Sequence, residues 1–109
     1  MIKVIILKDS QGDYTGFQIA GHAGYADSGK DIICAAVSML SLNMINSVEV
    51  LTDGKFKAEQ DDAHGILKFK FTGPVSKESK VLFDSLVLGL TEIENTYGGQ
   101  YIRILFKEV

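Results

Sequence analysis

Residues 31–54 read DIICAAVSMLSLNMINSVEVLTDG, and the spacing of the apolar side chains in this segment is the basis of the predicted fold. Apolar residues recur there at intervals of three and four, the period of one face of an α-helix. They are Ile33, Val37, Leu40, Met44, Val48 and Leu51. The turn residues Asp53-Gly54 end the segment. We therefore predict a long helix that starts at Asp31 and packs one apolar face against the rest of the protein.

Two strands are predicted before this helix. Residues 2–8 place Ile, Val and Leu on both faces, as is typical of a strand inside a sheet. Gln11-Gly12-Asp13 is a turn signal, and residues 14–21 read as the second strand of a hairpin. Residues 22–30 contain two glycines and show no apolar period, so we predict that they form a loop.

Two more strands, a second helix and a last strand are predicted after the first helix. Residues 55–60 and 65–72 form the two strands, and the second alternates inward Leu67, Phe69 and Phe71 with lysines that face water. Ser76 is a suitable cap for the second helix, which Gly98-Gly99 ends. Residues 100–107 return to a strand. The apolar stripe of the second helix consists of Leu82, Leu86, Leu90, Ile93 and Tyr97.

The predicted order is therefore ββαββαβ. This order indicates an α+β protein with a mixed or antiparallel sheet and two helices packed on one face of it. No linker and no low-complexity segment interrupts the chain, so we expect a single domain over residues 1–109.

Composition and charge narrow the function classes. The chain has 109 residues and a net charge of −3, which argues against a nucleic-acid partner because binding phosphates requires an excess of Lys and Arg. A single cysteine cannot form an internal disulfide and fits a reducing compartment. The apolar residues 1–8 are too few for a signal peptide or a membrane span. We expect a cytoplasmic protein with no membrane partner.

The two residues best suited to chemistry flank the glycine-containing loop. His22 ends a strand, and Cys34 lies in the first turn of the first helix. A thiol at a helix N-terminus and near an imidazolium is expected to have a pKa one to several units below its usual value of about 8.5. Such a thiol is an activated nucleophile. By spacing alone, Cys34 can equally be a small buried hydrophobic residue and His22 an ordinary loop residue.

Other kinds of site are less well supported by the sequence. Residues 24–31 match the phosphate-binding motif G-x-x-x-x-G-K-[ST] except at Asp31, where the motif requires a hydroxyl that binds magnesium. The chain is also too short for the parallel α/β sheet that normally carries this motif. His22, His64 and Cys34 lack the spacings of a zinc site, and His64 is assigned to a hairpin turn. We expect neither a metal nor a cofactor.

The segment around these two residues resembles the ribosomal-processing cysteine protease family, Prp. Gly21-His22, a glycine-containing loop and residues 31–38 (DIICAAVS) carry the resemblance, and the order of elements and the length agree over essentially the whole chain. The resemblance implies a cysteine endopeptidase that removes a short N-terminal extension from ribosomal protein number twenty-seven of the large subunit. It also implies a cleavage motif with a Phe-Phe-Ala core, and a homodimer.

Under this resemblance, His22 takes the proton from Cys34, and the thiolate attacks the scissile carbonyl. Backbone N–H groups at the helix start, including that of Cys34, are expected to stabilise the oxyanion. Asp31 lies three residues before Cys34, so its carboxylate can cap the helix. The alternative role for Asp31 is to orient His22, as the third member of a catalytic triad does.

Three further residues are expected to support the site. Ser38 is one helical turn after Cys34 and shares its face, where it can position the substrate, although a serine bonded back to its own helix is an alternative. Gly21 allows a close approach of substrate or loop backbone. Residues 23–30 are expected to form a mobile lid whose one large side chain, Tyr25, closes over an aromatic substrate segment.

Two functions from other classes remain open at this point. One is a non-enzymatic, ribosome-associated assembly factor that binds its partner through a sheet edge. The other is a nucleotide-binding protein that uses residues 24–31.

Overall fold

In the computed structural model, which describes residues 1–27 and 30–109, the elements follow in the predicted order ββαββαβ. A single 3₁₀ turn over Asp62–His64 joins the third and fourth strands. The predicted boundaries differ from the observed ones by one or two residues. The elements are β1 (Ile2–Lys8), β2 (Tyr14–Ala20), α1 (Ile32–Leu51), β3 (Phe56–Asp61), β4 (Ile66–Phe71), α2 (Lys77–Tyr97) and β5 (Ile102–Glu108).

The five strands form one mixed sheet in the order β3-β4-β2-β1-β5. β1 and β2 are antiparallel, as are β2 and β4, and β3 and β4. β5 runs parallel to β1, and a parallel neighbour requires a long crossover connection. α2 supplies that crossover between β4 and β5.

The core lies between one face of the sheet and the two helices. The register places Ile6 opposite Phe17, and Phe17 opposite Phe69, so apolar side chains from three strands line the same face. Phe17 and Phe83 of α2 are fully buried, and Phe69 nearly so. Because both helices cover this face, the opposite face of the sheet is left open to solvent.

Most of the predicted apolar stripe of α1 is buried, and one member is not. Ile33, Val37, Met44 and Val48 belong to the core. The prediction for Leu51 is wrong: it is the last residue of the helix, and its side chain is 70% exposed. A helix that ends at this residue no longer holds the side chain against the sheet.

By length and composition alone, α1 is the one helix in the described part of the chain that could cross a membrane. The core helix of a soluble protein has the same apolar composition, so this property is weak evidence for a membrane span. In the structure, α1 packs one face on the sheet and contacts α2.

Candidate active site

Cys34 and His22 lie at the same end of the molecule, on the helix side of the sheet. Cys34 is in the first turn of α1, and His22 is the second residue after β2. Both side chains line a cavity of about 240 Å³, whose walls also include Val37, Ile66 and Leu67. A second, more open depression shares His22 and Cys34. The fold therefore brings together the two residues that the sequence singled out.

Asp31 is the N-cap of α1, as its spacing from Cys34 predicts. Its Oδ1 accepts the N–H groups of Ile33 and Cys34, each at 3.0 Å, and its Oδ2 accepts the N–H of Tyr25 at 3.0 Å. Burial raises the pKa of this carboxyl, but the hydrogen bonds outweigh burial and leave the pKa below its usual value. With both oxygens bonded to backbone donors, Asp31 holds the loop to the helix start.

The Cys34 thiol has a raised pKa, so the prediction of a lowered pKa is wrong for this structure. Burial is the largest cause. The N–H of Ala23 donates to Sγ at 3.2 Å and favours the thiolate, whereas the negative charge of Asp31 and its hydrogen bond to the thiol oppose it. The positive end of the helix dipole favours the thiolate, but the carboxylate that caps this helix end opposes it.

His22 is exposed, whereas Cys34 is half-buried. Among the hydrogen bonds of the described residues, none joins the imidazole to the thiol, although the two side chains share both depressions. In unliganded enzymes such catalytic contacts are often long and shorten when substrate binds. The imidazole of His22 and the thiol of Cys34 thus face the same cavity without a hydrogen bond between them.

The turn between β3 and β4 forms part of the site, which the sequence analysis missed. Gly65 has φ +62°, and a Cβ there would lie 3.1 Å from both Cε1 and Nε2 of His22. The carbonyl of Gly65 accepts the N–H of Gly21 at 3.1 Å, so the turn is tied to the backbone just before His22. In a sequence, a glycine after a turn indicates a positive φ. Its contact with His22, however, depends on the tertiary structure.

The same turn lines the cavity with polar side chains. Gln60 and Asp62 both face the cavity and are joined by a hydrogen bond of 2.8 Å from Nε2 to Oδ1. His64 is bonded to Asp61 in that turn at 2.8 Å and does not line the cavity, in agreement with its assignment to the hairpin.

Gly21 and Ser38 both border the site. Gly21 has φ +98°, and a Cβ there would collide with the carbonyl oxygen of Met1. The backbone that approaches Gly21 closely is therefore that of Met1. Ser38 lines both depressions beside Cys34. Among the described residues no hydrogen bond of its hydroxyl is found, whereas Ser41 bonds back to Val37 of its own helix.

Tyr25 packs against the C-terminal part of the chain. Its ring meets those of Tyr97 and Tyr101 edge-on, with centroids 5.7 Å and 5.2 Å apart. The lid prediction for residues 23–30 and the phosphate-loop alternative for residues 24–31 both include Ser28 and Gly29, which lie outside the described residues. Within residues 1–27 and 30–109, no group of three or more His, Cys, Asp or Glu could hold a metal ion.

The backbone N–H of Cys34, which is expected to stabilise the oxyanion, already has a hydrogen-bond partner. In the resting site the Cys34 N–H is bonded to Asp31 Oδ1, so it would have to leave this partner to stabilise an oxyanion, and that role stays a prediction. The carbonyl of Asp31 likewise accepts the N–H of Ala35 at 3.1 Å. The Ala23 N–H, by contrast, points at Sγ itself.

Known proteins resemble this chain over almost its whole length. The ribosomal processing cysteine protease Prp of Staphylococcus aureus (strain Mu50) is 27% identical over 107 residues, which cover 98% of this chain and 100% of that protein. The protein of the same name from Bacillus subtilis (strain 168) is 26% identical over 101 residues, 89% of this chain and 90% of the relative.

The fold also matches solved structures of the S. aureus protease. The structure with a covalently linked product peptide has a TM-score of 0.92 and 27% identity and covers 98% of this chain and 100% of that one. The structure with a substrate peptide has a TM-score of 0.87, 26% identity and the same coverage. The family described as cysteine protease Prp matches residues 1–103. This match, in agreement with the fold, shows that the chain belongs to the Prp family of cysteine proteases.

Proposed function

We propose that this protein removes the short N-terminal extension of ribosomal protein number twenty-seven of the large subunit, with Cys34 as nucleophile and His22 as general base. The observation that supports it is the shared cavity of Cys34 and His22 in a Prp fold. A relative of the same fold was solved with a covalently linked product peptide.

The raised pKa of Cys34 determines how the first step proceeds. At neutral pH the thiol holds its proton, so the thiolate forms when His22 takes that proton with the substrate in place. Sγ then attacks the scissile carbonyl carbon. His22 returns the proton to the departing amine, and water hydrolyses the thioester, which releases the second product and regenerates the thiol.

The oxyanion of the tetrahedral intermediate requires a donor close to Sγ. The Ala23 N–H lies 3.2 Å from Sγ, so it can reach an oxygen on the carbon that Sγ attacks. In the resting site the Ala23 N–H donates its hydrogen bond to Sγ. We assign it to the oxyanion once the C–S bond has formed.

The cavity next to Cys34 suits an apolar substrate side chain. Val37, Leu42, Ile66 and Leu67 line it, and Gln60 and Ser38 add polar groups that can fix the substrate backbone. An aromatic side chain of the Phe-Phe-Ala core would bury its ring against these aliphatic groups.

The test is cleavage of a synthetic peptide that spans the extension, followed by mass spectrometry. Wild-type protein should cut at one bond, and Cys34→Ala and His22→Ala should each lower kcat/KM by at least about a thousandfold. His64→Ala is the matched control, because the chain has only two histidines and His64 lies outside the cavity. It should keep full activity.

Two results would contradict the proposal. Retention of a tenth of the activity by Cys34→Ala would exclude Cys34 as nucleophile. Binding of the peptide without any cleavage by the wild type would favour the non-enzymatic assembly factor instead.

We propose further that the protein works in the cytoplasm as a homodimer that buries the outer face of α1. This helix carries one charged residue, Glu49, among its twenty. Ile32, Met39 and Val50 on its solvent side are 52%, 70% and 77% exposed. An uncharged helix face of this kind is better buried against a second copy than left in water.

A further inference from the structure

The open face of the sheet carries a concentration of positive charge. Alternation along the strands places on this face six basic side chains, all exposed. Only two acidic residues, Glu59 and Asp61, share the face, and Asp61 is paired with His64. The six are Lys3, Lys57, Lys68, Lys70, Arg103 and Lys107.

The charges of the molecule are therefore divided between its two sides. The open face holds six of the eleven basic residues and two of the fourteen acidic ones, a surplus of four positive charges. The remainder holds five basic and twelve acidic residues, a surplus of seven negative charges. The net charge of −3, from which the sequence predicts no nucleic-acid partner, averages over two surfaces of opposite sign.

The register brings like charges together on this face. Glu59 lies opposite Lys68, but Lys57 lies directly opposite Lys70 and Lys3 directly opposite Arg103. Like charges in opposed positions of neighbouring strands destabilise a sheet. In the part of the chain that the structure describes, the one ion pair is His64–Asp61, so these cations have no acidic partner within 4.0 Å. A bound polyanion would relieve this repulsion.

A second copy of the chain is a poor occupant of this face. In a two-fold dimer the same patch meets itself, so six positive charges would face six others. The face also lacks aromatic side chains, and Ile5, Leu7 and Leu105 near its centre are aliphatic. Proteins that read single-stranded bases stack them on aromatic rings. The face therefore suits contact with a charged backbone and no readout of bases.

We infer that the open sheet face is a docking surface for the phosphodiester backbone of a nucleic acid. Lys57 on β3 and Lys107 on β5 are separated by four strand spacings, or ~19 Å. A duplex of that length carries about ten phosphate charges, enough to contact all six cations. The catalytic cavity lies on the helix side, so a nucleic acid and a peptide can be bound together.

The test is fluorescence anisotropy with labelled 20-base-pair RNA and DNA duplexes over a range of salt concentrations. Wild-type protein should bind both with similar micromolar affinity at 50 mM salt, and the affinity should fall steeply as salt rises. The variant Lys57→Glu/Lys70→Glu/Lys107→Glu should bind at least tenfold more weakly. Its log–log salt slope should be smaller by about three, one unit per lost phosphate contact.

The matched control is Lys77→Glu/Lys80→Glu, at two exposed lysines of α2 off this face, and it is compared with Lys70→Glu/Lys107→Glu, which changes the net charge equally. The control should lose less than threefold in affinity. Both double variants should cleave the extension peptide at the wild-type rate, so failure of this inference is separate from failure of the proposed function.

Three outcomes would overturn the inference. They are no duplex binding at 100 μM protein and 50 mM salt, equal losses in the two charge-matched double variants, and tighter binding to poly-glutamate or to vesicles with 30% anionic lipid than to either duplex. Circular dichroism melts of the variants would show whether a loss of binding reflects a loss of fold.

Discussion

At the scale of single residues, Asp31 has two effects that oppose each other chemically. It caps α1 and holds the loop through Tyr25, which places Cys34. The same carboxylate raises the pKa of the Cys34 thiol that it helps to position. The thiol is thus protonated at rest, and in the proposed mechanism it depends on His22 for activation.

Replacing Asp31 separates these two effects. Asp31→Asn should keep the cap, because Asn caps about as well as Asp, and should remove the negative charge. The pKa of Cys34 should then fall, and iodoacetamide should alkylate the thiol several-fold faster at pH 7. Peptide cleavage should stay within about threefold of wild type. Asp31→Ala should lower the free energy of unfolding by about 1 kcal/mol, measured in urea.

The pH dependence of the free energy of unfolding provides a control for the role of Asp31 as the helix cap. The pKa of Asp31 is lower in the folded protein than its usual value, so the folded state binds fewer protons there than the unfolded state. The stability from this carboxylate is present above its usual pKa of 3.8 and is lost as the pH falls through the lower, folded value. Asp31→Asn should lack this contribution. A loss of cleavage above a hundredfold in Asp31→Asn would assign Asp31 to the orientation of His22.

At the scale of elements, the β3–β4 hairpin supports His22, the proposed general base. A Cβ at Gly65 would lie 2.7 Å from the carbonyl oxygen of Gly21 and 3.1 Å from the imidazole of His22, and the Gly65 carbonyl accepts the N–H of Gly21. Gly65→Ala should displace His22 and lower kcat by at least tenfold, with a smaller change in KM, in the peptide assay. Gly12→Ala is the matched control, since Gly12 also has positive φ (+83°) but has nothing within 4 Å of its Cβ position.

A double-mutant cycle distinguishes displacement of His22 from general damage to the hairpin. In the His22→Ala background, Gly65→Ala should cause no further loss of kcat, because its effect acts through the imidazole. Gly12→Ala should destabilise the protein by about 1–2 kcal/mol, the strain of a non-glycine residue at positive φ, without a loss of kcat. Additive losses in the double variant would mean that Gly65 does not act on His22.

At the scale of the whole molecule, the outer face of α1 and the open sheet face differ in charge and should have different partners. Light scattering after gel filtration should give a dimer mass for the wild type. Met39→Asp should convert the protein to a monomer, because it places a charge in the buried face. Leu88→Asp is the control, since Leu88 is 67% exposed on α2, outside the α1 face. A dimer that survives Met39→Asp would place the contact elsewhere.

The amino-acid sequence by itself determined the order of elements, the inward face of β4 and the cap at Asp31. These features depend on neighbours within a few residues: apolar periods of two or 3.6, turn residues, and a carboxylate three positions before the N–H that it accepts. The Gly-His and Cys segments also identified the family. Boundaries moved by one or two residues because helix and strand ends depend on packing as well as on local preference.

Only the tertiary structure decided the pKa of Cys34, the contact of Gly65 with His22 and the division of charge between two faces. Each depends on groups far apart in the chain or on the strand order. Burial of the thiol requires the fold around it, Gly65 reaches His22 because β4 pairs with β2, and Lys3 meets Arg103 because β5 crosses over to β1. Electrostatic and packing energies depend on these distances in space, which spacing along the chain does not contain.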